Sequence, residues 1–182
     1  VAAPPGADPF GGVAPGAGSA WQRCGGCADE DRLGGATFST SVGWGLSDRW
    51  ILVAEPYVWL SGKGAFTPDH EDEIQRGDFG VHLLFYPGSR LGWFARAGLG
   101  YSAYATNIGT LWRGADGFAL RSGAGHDWRV GDQLVLRAQA LVHVGWLGAV
   151  RGWTPDLRYV RVASAATQYI VGVDFGLYFH PR

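Results

Sequence analysis

The sequence predicts a closed, antiparallel, up-and-down transmembrane β-barrel of eight strands. Three observations predict it. From 35 to 179 the chain alternates apolar and polar residues at period two, in stretches of about a dozen. Very short turns and long polar connections separate these stretches in alternation, the wiring of a barrel that crosses a membrane. Large rings cluster at both ends of the stretches, as expected at two bilayer interfaces.

The short turns are Ser47-Asp48-Arg49, Pro87-Gly88-Ser89-Arg90 and Val130-Gly131-Asp132. The long connections lie near 24–34, 62–76, 106–116 and 147–156. Between them, seven stretches read as strands: 35–46, 50–61, 77–86, 91–105, 117–128, 133–146 and 157–179. A closed bacterial barrel needs an even number, so an eighth strand is expected before Cys24. Its pattern is weak, and Pro15 cannot donate to a ladder. The strand is therefore predicted to start near Gly16, with residues 1–15 as a flexible Pro/Gly/Ala-rich leader and 16–182 as the barrel. Pro56 predicts a bulge or a missing ladder bond in the strand over 50–61.

Composition agrees with this class. A length of 182 residues suits one domain. The charged fraction is 17%, below the ~25% usual in soluble domains. Hydrophobic residues make up 47% but never gather into the run of ~18 that a transmembrane helix needs. A net charge of -1 gives no reason to propose nucleic acid as a partner. Lys63 is the only lysine, which we read as genome composition. A chain that starts at Val1 and contains no Met reads as a mature, processed product.

The faces of the strands indicate which side meets lipid. One face is apolar throughout: Ala36, Phe38, Val42 and Trp44 on one strand, Phe79, Val81, Leu83 and Phe85 on another. The opposite face carries Gly, Ser and isolated charges, which suits a narrow lumen better than water. In lipid every backbone group must be paired, and a closed barrel achieves that. Trp44, Trp50, Tyr86, Trp93, Trp128 and Phe179 are assigned to an aromatic girdle at the short-turn end. Trp21, Tyr101, Tyr104, Trp112 and Trp146 are assigned to a second girdle at the long-loop end.

The inward parity collects Glu55, Asp78, His82, Arg96, Arg121, Asp127, Arg137, His143 and Asp174. Charges in a low-dielectric interior need partners. Arg96, Arg121 and Arg137 are expected to form a network with Glu55, Asp78 and Asp174, plugging the lumen rather than lining an ion track.

The last stretch, Tyr169-Ile170-Val171-Gly172-Val173-Asp174-Phe175-Gly176-Leu177-Tyr178-Phe179, alternates and ends on an aromatic. With the loop wiring, it resembles the small eight-stranded outer-membrane barrels of the opacity-protein and OmpA-membrane-domain type. The resemblance covers about 10–180 and departs in the added His180, Pro181 and Arg182. It implies a Gram-negative outer membrane, periplasmic termini, extracellular long loops and insertion by the barrel-assembly machinery. Functions implied by that family include anchoring, adhesion, passage of small hydrophobic solutes and lipid modification.

Cys24-Gly25-Gly26-Cys27 could be a disulfide, a zinc site or a redox motif. Zinc needs four ligands, and no second Cys/His pair is present. A redox role wants a βαβ context, which is missing, so a disulfide in an exported chain is the expected state. Asp29-Glu30-Asp31 and Asp69-His70-Glu71-Asp72-Glu73 are acidic loop clusters. Asp69, Glu71 and Glu73 are weak metal candidates, able to bind Ca²⁺ or bridge to lipopolysaccharide. Arg151, Arg158 and Arg161 in the fourth loop could meet those acids or lipid phosphates. No cofactor motif is present, and catalysis through His126, Asp127 and Ser122 has no supporting pattern.

The expected function is that of a plugged outer-membrane barrel, not an enzyme, working through its loops or its lipid face. Its expected partners are outer-membrane lipid or lipopolysaccharide. The small outward residues Ala95, Ala97, Ser122, Ala124, Ala138 and Ala140 read either as simple variation of the lipid face or as a smooth patch for a second copy or another membrane protein. The alternatives are a narrow porin-like channel for small or hydrophobic solutes and a soluble lipocalin-like binding barrel.

Overall fold

A computed structural model describes residues 9–24, 30–61, 74–88, 91–108, 111–153 and 159–179. All regular structure among them is β. Eight long strands make the barrel: β1 Pro9–Cys24, β2 Glu30–Gly45, β3 Trp50–Ser61, β4 Ile74–Phe85, β5 Gly92–Ile108, β6 Leu111–Arg129, β7 Leu134–Leu147 and β10 Ala166–Phe179. Each pairs antiparallel with its neighbours, and β10 pairs with both β7 and β1, which closes the sheet. No described helix is long and apolar enough to cross a membrane, whereas a barrel crosses with strands. The start of β1 and the end of β10 lie side by side, Gly11 opposite Phe179, at the short-turn end.

Several boundaries differ from the sequence reading. β1 begins at Pro9, well before the expected Gly16, so part of the expected leader is strand. Its ladder to β2 runs without a break from Pro9 to Ala20. Its ladder to β10 omits Ala14 and Pro15 and resumes at Gly16 opposite Asp174. The missing proline N–H thus falls on one edge only, and the other edge holds the strand. Pro56 acts similarly. The β2–β3 ladder skips Thr40 and Ser41 opposite Pro56 and Glu55 with no change of register, so the defect is a gap and not a bulge.

The third long connection is not a loop. β5 and β6 continue as a ladder to Ile108 opposite Leu111. The expected final strand over 157–179 is broken near Ser164, giving β9 Tyr159–Ala163 and then β10. The fourth connection contains β8 Val150–Trp153, which pairs with β9 and with the far end of β6. These two short strands stand above the rim at the long-loop end.

Side chains alternate between a buried inner face and an exposed outer face along every long strand. Apolar rings and aliphatics crowd the inside at the turn end: Phe10, Ile51, Val53, Leu84, Tyr86, Phe94, Val135 and Tyr178. A second cluster, Ala20, Tyr57, Trp59, Leu141 and Ile170, lies nearer the loops. Inward glycines make room for these rings. A Cβ at Gly43 would strike Phe10, one at Gly12 would strike Tyr178, and one at Gly125 would strike Phe94.

Candidate functional site: the lumen and the outer belt

Between the two apolar clusters the inner face is polar. β3 supplies Glu55, β4 His82 and Asp78, β5 Arg96, β6 Arg121, β7 Gln139 and His143, and β10 Asp174. All are buried, Glu55 and Asp174 at 0% exposure. Arg96 donates to Glu55 through Nη2 at 3.1 Å and through Nη1 at 3.4 Å, and to Gln139 Oε1 at 2.9 Å. Arg121 bridges Glu55 and Asp78 and donates to His82 Nε2 at 3.1 Å. His143 Nδ1 meets Asp78 Oδ2 at 2.5 Å. Its ring packs on Tyr57 with centroids 4.3 Å apart, and Arg121 lies over the same tyrosine at 4.9 Å.

The expected six-residue network divides in two. Arg137 does not join the central group. Its Nε donates to Asp127 Oδ1 at 2.7 Å and its Nη2 to Asp127 Oδ2 at 2.8 Å. The Tyr86 hydroxyl donates to the same carboxylate at 2.7 Å. The guanidinium lies over Tyr178 and Phe94, 4.2 and 4.6 Å from their centroids. The cause is register: Arg137 is the direct cross-strand partner of Asp127, nearer the turns than Gln139. Asp174 likewise meets no arginine in an ion pair among the described residues. It accepts from Thr37 Oγ1 at 2.6 Å and from Gln139 Nε2 at 3.4 Å.

Arg76 is an inward charge that the sequence reading missed. It lies buried near the long loops, between Trp59 at 5.4 Å and Tyr104 at 5.6 Å. Its parity continues from Asp78 through Gly77, so starting the strand three residues earlier would have found it.

No family model matches the sequence, and no curated protein does. Solved structures do match. Neisserial surface protein A (NspA) superposes with a TM-score of 0.59 at 12% identity, over 93% of this chain and 96% of that one. AlkL, an outer membrane protein solved by solid-state NMR in DMPC lipid bilayers, gives 0.56 at 11% identity, over 100% and 94%. The fold is that of a small outer-membrane β-barrel.

On this barrel the outward side chains form the belt that lipid would meet. Trp44, Trp50, Trp128 and Phe179 are exposed toward the turn end, and Trp93 is the most exposed of these at 72%. Trp50 packs on Phe85, and His126 sits between Trp93 and Trp128 at 5.0 and 4.5 Å. Toward the loops, Tyr101 and Trp146 are exposed, and Trp146 stacks on Phe118. Trp21 is half-buried and stacks on Tyr169 at 5.1 Å. Two girdle assignments are corrected. Tyr86 and Tyr104 point inward, because each takes the lumen parity of its strand. The side chain of Trp112 lies outside the described residues.

Ala95, Ala97, Ser122, Ala124 and Ala140 are exposed outward and Ala138 is half-exposed. Ala95 faces Ala124, which faces Ala140, and Ala97 faces Ser122, so these residues are contiguous across β5–β7. Cys24 ends β1, but Cys27 lies outside the described residues, so their disulfide stays a proposal. Asp69, Glu71, Glu73, Lys63 and Arg158 also lie outside them. Among the described residues no group of three or more His, Cys, Asp or Glu could hold a metal.

Proposed function

We propose that this chain is a small integral outer-membrane barrel with a sealed lumen. It works without catalysis, as a structural or interaction protein, through its extracellular rim and its lipid face. The observation that carries this reading is the buried bridge of Arg96 and Arg121 onto Glu55. It ties three barrel strands together across the interior, with an apolar cluster on either side of it along the axis. Eight strands leave an interior just wide enough for side chains to fill. The charges there are spent on each other and on Gln139, Thr37 and Tyr86, which leaves little for a passing ion.

Membrane residence follows from the outer face. Phe38, Val42, Phe79, Val81, Leu99, Leu120, Val173, Phe175 and Leu177 are all exposed there, forming a continuous apolar belt far larger than a soluble monomer tolerates. That belt argues against a soluble binding barrel. In this reading the termini and short turns face the periplasm, and the long-loop rim faces outward. Insertion goes through the barrel-assembly machinery acting on the β10 pattern that ends at Phe179.

The test is biochemical. Folded protein should need detergent to stay monodisperse, should resist carbonate extraction from membranes, and should migrate differently before and after boiling. Monodisperse protein in plain buffer would overturn the membrane reading.

A further inference from the structure

We propose that the long-loop rim binds a membrane lipid bearing a phosphate monoester, held by Arg151 and Arg161 with one acyl chain in the groove beneath them. This rests on the membrane residence argued above. Arg151 on β8 and Arg161 on β9 are direct cross-strand partners, and both are exposed. Such partners have Cβ atoms ~4.5–5.5 Å apart, and like charges so placed repel. Among the described residues neither arginine forms an ion pair with a carboxylate. Asp116, on the same outer face of β6, lies near Tyr101, as does Arg151, so one carboxylate stands against two guanidiniums. An anion between the guanidiniums converts the repulsion into attraction. A phosphate monoester carries about −1.5 to −2 at pH 7 and presents oxygens that match the planar fork of arginine.

Height and shape point to a lipid. Arg151 pairs with Gly114, four positions along β6 from Phe118 in the ring stack with Trp146. At ~3.3 Å per residue and a tilt of ~45°, that is roughly 9 Å above the stack along the membrane normal. Rings of this kind mark the edge of the hydrocarbon, so a long arginine side chain there reaches headgroup phosphates. Below, Ala97, Leu99, Leu120, Ser122, Val142 and Trp146 line an outward, mostly apolar groove of about 510 Å³. A cationic pair at phosphate depth and an apolar groove at acyl depth are thus joined through β6, which pairs with β8 at Gly114 and lines the groove at Leu120.

The test is lipid selectivity by spin-label electron resonance, on the full chain reconstituted in phosphatidylcholine vesicles. The probes are spin-labelled phosphatidic acid, phosphatidylglycerol and phosphatidylcholine with identical chains. Phosphatidic acid should be preferred over phosphatidylcholine by ~5-fold or more, with phosphatidylglycerol between them. The Arg151→Gln/Arg161→Gln variant should lose that preference while keeping its heat-modifiable migration, since neither residue faces the lumen. Equal association of all three lipids, or the same preference in the variant, would overturn the site. Loss of the preference in millimolar inorganic phosphate would also overturn it, by showing a site for soluble anions. Absence of any motionally restricted lipid would instead overturn the membrane reading itself.

Discussion

Thr37 donates a 2.6 Å hydrogen bond to Asp174 across the strand that separates them. Thr37 is on β2, Asp174 on β10, and β1 runs between. The bond passes over Gly16, which pairs with both residues. A Cβ at Gly16 would collide with the Asp174 carboxylate, the Thr37 hydroxyl and the Val173 carbonyl. Gly16→Ala should therefore destabilise the barrel at its closing seam, by ~1–3 kcal/mol as an overpacked site. Urea unfolding in lipid vesicles, followed by gel mobility of unboiled samples, checks this. An unchanged midpoint would show that the seam tolerates a side chain.

Arg121 answers two buried carboxylates, Glu55 and Asp78. Arg121→Ala should cost ~3–5 kcal/mol, because it leaves buried charge uncompensated. Glu55→Leu combined with Arg121→Met should cost less than the two single changes added together. Asp78 retains His143 in that variant. A double-mutant cycle by the same unfolding assay measures the difference, and strict additivity would mean that the two residues do not interact.

Arg137 combines a forked contact to Asp127 with two ring faces. Lysine keeps the charge but cannot reproduce the fork. Arg137→Lys should lose ~1.5–3 kcal/mol. Tyr86→Phe should be milder, removing one of the donors to Asp127 and no charge. Stability of Arg137→Lys equal to wild type would show that charge alone holds this pair.

Trp93 and Trp59 occupy opposite faces, one at 72% exposure and the other at 0%. Lipids brominated on their acyl chains should quench Trp93 fluorescence and spare Trp59. Trp93→Phe should therefore reduce the quenchable fraction, and Trp59→Phe should raise it. The reverse pattern would mean that the barrel faces lipid with its other surface.

Period-two alternation made the fold and the inward set legible, because parity alone decides which face a residue takes once a sheet closes. Glu55, Asp78, Arg96, Arg121 and Asp174 were found that way. The pairing of Arg96 and Arg121 with Glu55 and Asp78 was legible too, but the partners of Arg137 and Asp174 were not, since partnering depends on the stagger between strands, which no single strand records. Asp127 opposite Arg137 is such a case. Strand ends were harder for a local reason. Glycine and proline in 9–18 weaken the β signal of β1, although its neighbours β2 and β10 supply the pairing. Tyr86 reads as a girdle ring because it sits at the turn end, yet just beyond Phe85 it keeps the lumen parity of β4 and is buried. Arg151 and Arg161 are legible as cations near the fourth loop, but their pairing is not, because 150–153 reads as loop and 159–163 as the start of the last long strand.

Planar-bilayer recording of the purified chain tests the central claim most directly. A lumen closed by Glu55, Arg96 and Arg121 predicts a flat trace, with no stable unitary current across the voltage range. Large, long-lived and uniform current steps from the unmodified protein would contradict it.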